Sequence, residues 1–166
     1  MLQRKLGTLI TLVVMAAATS ATATAAGRPA SQTAKYSNAT VAALLEKAGY
    51  DYSKIGDGIW EIQFKGKNVA QFPVRVVLSQ DIILVMAKLA DRKDVALSAP
   101  LFQKLLELND SMDTVKFALS QDMLYMRLEL HARLVDEEEL KYLLGQVSGA
   151  VDEAYPQIKQ FLPKEK

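Results

Sequence analysis

One continuous apolar stripe near the C-terminus limits the fold of this chain more than any other feature. Its members recur at the 3.6-residue spacing of an α-helix, and a stripe of this length must pack on a surface of similar length. Asp136 and Glu139 form a capping-box-like pair at its start. Pro156 disfavours the helical state of the residue before it, so we expect the helix to bend or break there. The stripe consists of Leu140, Leu143, Leu144, Val147, Val151, Ala154, Tyr155 and Ile158.

The middle of the chain changes to a period of two, which is typical of β-strands. Apolar residues alternate over 60–64 and again over 74–78. Residues 82–89 form a third apolar segment, with apolar side chains on both faces. Two more strands are predicted over 115–119 and 123–130. The sequence therefore contains five predicted strands.

Two shorter helices complete the predicted elements. The first begins at the cap Asn38 and ends before Gly49, and the second begins at the cap Ser98. The second helix is expected to direct four apolar residues inward: Leu101, Phe102, Leu105 and Leu106. We predict an α+β fold with a mainly antiparallel five-stranded sheet, helices packed on one face, and the element order α-β-β-β-α-β-β-α.

A short internal repeat supports this order. The tetrapeptide Leu-Ser-Gln-Asp occurs at 78–81 and again at 119–122, and each copy is followed by a predicted strand and then a helix. The tetrapeptide alone is weak evidence. Its position in two equivalent units indicates a duplicated hairpin-plus-helix.

The N-terminus has the pattern of an export signal. Arg4 and Lys5 precede an apolar run over 6–18 and then small residues, and the run is shorter than the roughly 20 residues of a membrane-spanning helix. We therefore predict export to the periplasm or the outside of a bacterium, without a stable membrane span after cleavage. The predicted organisation is a signal peptide over 1–25, a flexible mature N-terminus over 26–37, one domain over 38–162 and a tail over 163–166.

Charge and composition exclude several classes of function. The formal net charge is +1, and removal of Arg4 and Lys5 with the signal would change it to −1. Nucleic-acid binding requires a concentrated basic face, which this sequence lacks. The absence of cysteine excludes thiol catalysis, disulfide exchange and cysteine-based metal sites.

The chain resembles a known family in its helical and strand segments. The segments are 101–109 (LFQKLLELN) leading into 115–119, then 128–130, 136–140 and 151–156. Over roughly residues 38–162 the chain is similar to the YbjN family and, more remotely, to the type III secretion chaperone fold. The resemblance implies a non-enzymatic protein: the chaperones are dimers that hold an extended or partly unfolded client on apolar surface, and YbjN-like proteins are described as regulators. An export signal does not fit a cytoplasmic secretion role, so we take from the resemblance only the fold and a protein-binding surface.

The outward face of the two central strands is the candidate binding site. One face is apolar in both repeat units and is expected to lie under the helices. The opposite face is half apolar and contains methionines, which adapt to varied partners. Either a client or a second copy covers this face, or loops, the N-terminal tail or the bend after Pro156 do. The predicted partner-binding residues are Ile82, Leu84, Met86, Met123, Tyr125 and Arg127.

No residue pattern predicts catalysis, a metal or a cofactor. His131 is the only histidine, and its neighbours Glu129 and Asp136 are too few to indicate a zinc site. The leading hypothesis is an exported, non-catalytic, protein-binding homodimer. One alternative is a small-ligand sensor or enzyme with a pocket near Tyr52, Trp60 and His131, and another is a structural envelope protein without a specific client.

Overall fold

The computed structural model describes residues 36–163. The predicted signal peptide, most of the predicted mature N-terminus and the last three residues lie outside this range. Within it, α-helices, β-strands and short 3-10 turns alternate along the chain. The helices are α1 (Asn38–Lys47), α2 (Ala99–Ser111) and α3 (Glu137–Ile158); the strands are β1 (Ser53–Gly56), β2 (Ile59–Phe64), β3 (Phe72–Ser79), β4 (Ile82–Asp91), β5 (Lys116–Leu119) and β6 (Met123–His131); the 3-10 turns are Arg92–Asp94, Ala132–Leu134 and Lys159–Phe161.

The strands form one antiparallel sheet in the order β1-β2-β3-β4-β6-β5. Consecutive strands pair as hairpins, except that the connection through α2 places β6 beside β4. β1 and β5 are the two edges. The long strands β4 and β6 therefore lie side by side inside the sheet and determine the shape of both of its faces.

The prediction of five strands was wrong by one strand. β1 pairs with β2 through Ser53 opposite Glu61 and Lys54 opposite Trp60. Its first three residues are exposed, so the sequence lacks the alternation that identifies a half-buried strand. The observed element order is α-β-β-β-β-α-β-β-α, and the α+β class, the antiparallel pairing and the helices on one face are as predicted.

The helices pack on one face of the sheet, called here the inner face. α3 contacts β3, β4 and β6, while α1 packs against α3 and α2 against β5. Burial of the apolar side chains between the helices and the inner face supplies the main favourable free energy of folding. None of the described polar or charged residues is buried. The core contribution of the four longest strands consists of Trp60, Ile62, Phe72, Val74, Val76, Ile83, Val85, Ala87, Ala90, Leu124, Met126 and Leu128.

Each helix begins at a side-chain cap. Ser37, and not the predicted Asn38, caps α1, and it forms a capping box with Thr40. Asn38 instead donates a hydrogen bond to Asp57 in the β1–β2 turn at 2.7 Å. The caps of the other two helices are as expected: Ser98 accepts from Leu101 N, and Asp136 accepts from Glu139 N.

The predicted inward face of α2 was half wrong. Leu101 and Leu105 are buried, and Leu108 extends this buried stripe. Phe102 is 42% exposed and Leu106 is 69% exposed, and both line a cleft between α2 and the edge strand β5. The sequence alone showed a wide apolar surface on α2, but it did not show which part of this surface packs in the core.

α3 continues through Pro156 to Ile158, so the predicted break near Tyr155 does not occur. Proline has no N–H, and the carbonyl of Asp152 therefore loses its helical donor four residues later. The side-chain amide of Asn68 donates to this carbonyl at 3.0 Å. This hydrogen bond from the β2–β3 loop satisfies the carbonyl and explains how the helix tolerates the proline.

The two copies of the tetrapeptide repeat occupy equivalent places. Each forms the turn of a hairpin that is followed by a 3-10 turn and a helix, in β3–β4–α2 and in β5–β6–α3. The carbonyl of Asp81 accepts from Ala132 N at 2.8 Å, and the carbonyl of Asp122 accepts from Arg92 N at 2.9 Å. Each turn is thus bound to the chain that leaves the other hairpin, as expected for a duplicated unit with approximate two-fold symmetry.

Candidate functional site

The sheet face opposite the helices, called here the outer face, has an apolar centre. The strand register aligns Ile59 on β2 with Val77 on β3, and Val77 with Leu84 on β4. These three residues are half-buried, and the next position in the row is the exposed Glu129 on β6. Solvated sheet faces are usually polar, so this row is unusual for a surface that the described helices leave uncovered.

All of the predicted partner-binding residues lie on this outer face. The register places Ile82 opposite His131, Met86 opposite Arg127, and Met123 opposite Asp91. The six residues therefore extend along the whole β4–β6 pair, with Ile82 and Met123 at opposite ends, and do not form one compact cluster. Five of them are half-buried and Met86 is buried: Ile82, Leu84, Met86, Met123, Tyr125 and Arg127.

Met86 is only 8% exposed although no described helix covers it. The register places Arg75 on one side of it and Arg127 on the other. Arginine side chains commonly cover apolar surface with their methylene stems while the guanidinium stays in water. The positions of Arg75 and Arg127 on both sides of Met86 are consistent with its low exposure, and they place charged side chains at the centre of the outer face.

Two ion pairs fix these arginines. Arg75 Nε lies 2.9 Å from Glu61 Oε2, and Arg127 Nη1 lies 2.7 Å from Glu129 Oε1. Both pairs are partly exposed, so each contributes little to stability. Their effect is geometric: they keep the guanidinium groups at the margins of the apolar row. A partner that reaches this row meets an apolar strip bordered by both signs of charge.

The sequence prediction missed the part of the site on β2 and β3. Ile59 and Val77 continue the apolar row beyond β4 and β6, the two strands that contain the predicted residues. The available signal was the uninterrupted apolar run over 76–78, because a strand buried on one face only would alternate there. The internal repeat, in contrast, indicates only β4 and β6.

A second apolar surface lies between α2 and the edge strand β5. It forms a cleft of about 210 Å³ whose rim includes Phe102, Leu106 and Leu119. These side chains are 42%, 69% and 36% exposed, respectively. We call this surface the α2–β5 patch, and the sequence prediction missed it because Phe102 and Leu106 were assigned to the core.

The free edge of β5 is blocked beside this patch. The Asn109 side chain accepts from Phe117 N at 2.6 Å and donates to Phe117 O at 3.3 Å. It therefore occupies the two hydrogen-bonding groups that another strand would use at this position. Lys116 Nζ donates to the carbonyls of Asn109 and Met112, which ties the edge strand to the end of α2.

Residues of the alternative pocket line none of the three clefts described for residues 36–163. Trp60 is 1% exposed in the core, the Tyr52 hydroxyl donates to Glu46 at 3.1 Å, and His131 ends β6. Three surface clefts of about 210 to 290 Å³ are lined by other residues. Within residues 36–163, no group of three or more His, Asp or Glu side chains is arranged to hold a metal ion.

The acidic run at the start of α3 has an ordinary structural role. No helix in the described part of the chain is long and apolar enough to cross a bilayer. In the acidic run, Asp136 caps α3, and Glu137 pairs with Lys141 at 2.7 Å. Carboxylates at a helix start are favoured by the free N–H groups there, so the run needs no bound cation to explain it.

Residues 37–162 match the family model described as TY-Chap1, T3SS (YopN, CesT) and YbjN peptide-binding chaperone 1. The chain belongs to this family. The match extends from the cap of α1 to the segment after α3, so it includes the outer face and the α2–β5 patch together. The resemblance drawn from the sequence is thereby confirmed.

Solved structures show the same fold at low sequence identity. The crystal structure of YbjN from E. coli, a putative transcription regulator, is 20% identical with a TM-score of 0.57, and the match covers 78% of this chain and 97% of that one. A chain of the ExsC–ExsE complex is 13% identical with a TM-score of 0.51, covering 78% of this chain and 95% of that one. No curated protein matches this sequence.

Proposed function

We propose that this domain is a non-catalytic chaperone-like or regulatory module that binds segments of other polypeptides on its outer face. The observation that carries the proposal is the apolar row Ile59, Val77 and Leu84, which the described helices leave uncovered. The family is described as peptide-binding chaperones, and this supports the choice of a polypeptide as the partner. Half-buried apolar side chains on a flat sheet suit an extended or partly unfolded segment, whose own apolar residues would otherwise stay in water.

The binding test uses charge substitutions on the outer face. We expect Leu84→Glu with Met123→Glu to weaken binding of a permanently unfolded polypeptide, reduced and carboxymethylated lactalbumin, at least about tenfold, or about 1.4 kcal/mol. Fluorescence anisotropy measures the affinity, and circular dichroism checks the fold. Leu134→Glu with Tyr142→Glu is the matched control, since both residues are exposed outside the sheet. Equal affinity of the parent and the outer-face variant would refute the proposal.

We further propose that the protein acts as a homodimer through the α2–β5 patch. Leu106 is the most exposed large apolar residue within 36–163, and it lies beside Phe102 on one helix face. A two-fold interface uses the same patch on both subunits, and a helix can pack against its own copy in this way. Assigning self-association to this patch leaves the outer face free for the client.

The dimer test is separate from the binding test. We expect Phe102→Glu with Leu106→Glu to convert a dimer to a monomer in light scattering at micromolar concentration, while the Leu134→Glu and Tyr142→Glu control stays dimeric. A parent that is monomeric at these concentrations would contradict the dimer. It would leave client binding on the outer face to be judged by its own experiment.

We also propose that the domain works outside the cytoplasm of a bacterium, after removal of residues 1–25. The support is the order of two cations, an apolar run and small residues at the N-terminus. N-terminal sequencing of the protein recovered from the periplasmic or extracellular fraction is expected to begin near Ala26. Recovery of the intact N-terminus in the cytoplasm alone would refute export.

A further inference from the structure

The C-terminal segment after α3 lies across one end of the sheet. Ile158 is fully buried and is the last residue of α3. The chain then forms the 3-10 turn Lys159–Phe161, followed by Leu162 and Pro163. Phe161 and Leu162 are half-buried and pack against the core. We call residues 159–163 the strap.

One of the backbone hydrogen bonds that join the strap to the rest of the domain is weak. Lys159 N donates to Tyr155 O at the end of α3, and Ala96 N donates to Phe161 O at 3.4 Å, near the long limit for such a bond. Leu162 N donates within the strap, to Lys159 O at 3.2 Å. Segments with few buried contacts and weak backbone hydrogen bonds open at a lower free energy than the global unfolding of the domain.

The strap forms one wall of an apolar groove. This cleft of about 210 Å³ has Leu162 and Pro163 on the strap side, Phe72 and Leu89 on the sheet side, and Val151 of α3 between them. Opening of the strap would remove the wall formed by Leu162 and Pro163. It would thereby expose the apolar side chains of Phe72, Leu89 and Val151.

The groove is continuous with the outer face. Its lining includes Pro73 on β3 and Lys88 on β4. Both residues belong to the outer face, because their neighbours along each strand face inward. Lys88 lies opposite Tyr125, one of the predicted partner-binding residues. A peptide on the outer face that extends past Tyr125 therefore reaches the groove.

We propose that the strap opens as a local unit while the rest of the domain stays folded, and that its opening extends the peptide-binding surface from the outer face into this groove. The opening depends only on the packing of the strap. Its role in admitting a peptide rests on the proposed function.

Hydrogen exchange of the intact chain tests the opening without any client. Because the Ala96 amide is bonded to the strap, it is expected to exchange at least about 30-fold faster than the Val147 amide in α3, after correction for intrinsic rates. Val147 is fully buried and reports on opening of the core. A smaller ratio would mean that the strap opens only with the whole domain, and the proposal would be overturned.

A truncated chain tests what the opening exposes. A variant that ends at Ile158 is compared with a control that ends at Pro163 and retains the strap. We expect the shorter chain to keep its far-ultraviolet circular dichroism, to at least double the fluorescence of anilinonaphthalene sulfonate and to bind carboxymethylated lactalbumin more tightly.

Unchanged fluorescence of the dye would overturn the proposal. Equal affinity for the polypeptide, where both chains bind it, would also overturn it. If neither chain binds the polypeptide, the proposed function fails, and exchange at Ala96 still decides whether the strap opens. If the shorter chain does not fold, the substitutions Phe161→Ser and Leu162→Ser in the full chain replace it, with the same expected results.

Discussion

Asp152 on α3 and Asn68 in the β2–β3 loop bind each other twice. The backbone N–H of Asn68 donates to the Asp152 carboxylate at 2.6 Å, and the side-chain amide of Asn68 donates to the Asp152 carbonyl at 3.0 Å. The backbone N–H groups of Lys67 and Val69 donate to the same carboxylate at 3.0 and 2.9 Å. One helical residue thus orients a whole loop, and this loop leads directly into β3 of the outer face.

The Asp152 carboxylate should make stability depend on pH at the acidic end. Partial burial works against its charged form, but the backbone donors of Asn68, Lys67 and Val69, together with the charge of Lys67, lower the pKa of Asp152 below its ordinary value. A carboxyl group with a lowered folded pKa stabilises the protein above its unfolded pKa of about 3.9, and this contribution is lost as the pH falls through the folded pKa.

Asp152→Ala is therefore expected to lower the melting temperature most at neutral pH and less as the pH falls below about 4. Thermal unfolding from pH 7 to pH 2 measures the difference. Glu153→Ala is the control, because Glu153 is an exposed neighbouring carboxylate. A difference between Asp152→Ala and the parent that stays constant over this range would show that the charge does not stabilise the loop.

Gly66 provides a second test of the same loop. A Cβ at this position would collide with Asp152 Oδ1, whereas a Cβ at Gly145 in α3 would meet no atom within 4 Å. Gly66→Ala should therefore destabilise the domain by about 1–3 kcal/mol, which is typical of overpacking. Gly145→Ala should stabilise it by about 0.5–1 kcal/mol, because alanine has the higher helix propensity.

The double variant Gly66→Ala with Asp152→Ala distinguishes a collision from a general effect on the loop. Removal of the carboxylate creates space for the new methyl group, so the two changes together should cost less than the sum of the single changes. Chemical denaturation measures all of these free energies of unfolding. Strict additivity would exclude the collision as the cause.

The sequence was sufficient for the parts of the fold that repeat a strong pattern. The stripe on α3, the alternation in β2 and β3 and the two equivalent turns each combine a period with turn or cap residues, so local preference and packing agree. β1 escaped prediction because it is short, exposed and bulged, and its pairing with β2 is decided by the sheet and not by its own residues.

Part of the site on the outer face was also predictable from the apolar pattern of the sequence. Both faces of β4 are apolar in the sequence, which indicated a surface outside the core. The sequence could not show which side of α2 is buried, so its pattern predicts Phe102 and Leu106 in the core although both are exposed. It also gave no indication that Asn109 lies beside Phe117, because this contact depends on how α2 docks against β5.

Met86 should behave in stability measurements like a core residue although it belongs to the outer face. Its exposure is only 8%, and Arg75 and Arg127 flank it in the register. We expect Met86→Ala to cost about 2–3 kcal/mol in chemical denaturation, as for other buried methionines. Met123→Ala is the matched comparison and should cost less than about 1 kcal/mol, because Met123 is only half-buried at the end of its strand. Equal costs would contradict the burial of Met86.

Asn109 is expected to protect the edge of β5 from pairing with other chains. In Asn109→Ala, the N–H and C=O groups of Phe117 lose their partners, which should cost about 1–2 kcal/mol. The exposed edge should then promote aggregation that increases with concentration, as measured by light scattering at constant temperature. Asn109→Asp keeps an acceptor for Phe117 N but loses the donor to Phe117 O, so an intermediate effect is expected. Gln103→Ala on the exposed side of α2 is the control, since its side chain donates to Glu107 and not to the sheet. If Asn109→Ala stays as soluble as this control, the asparagine contributes only to stability and another group protects the edge.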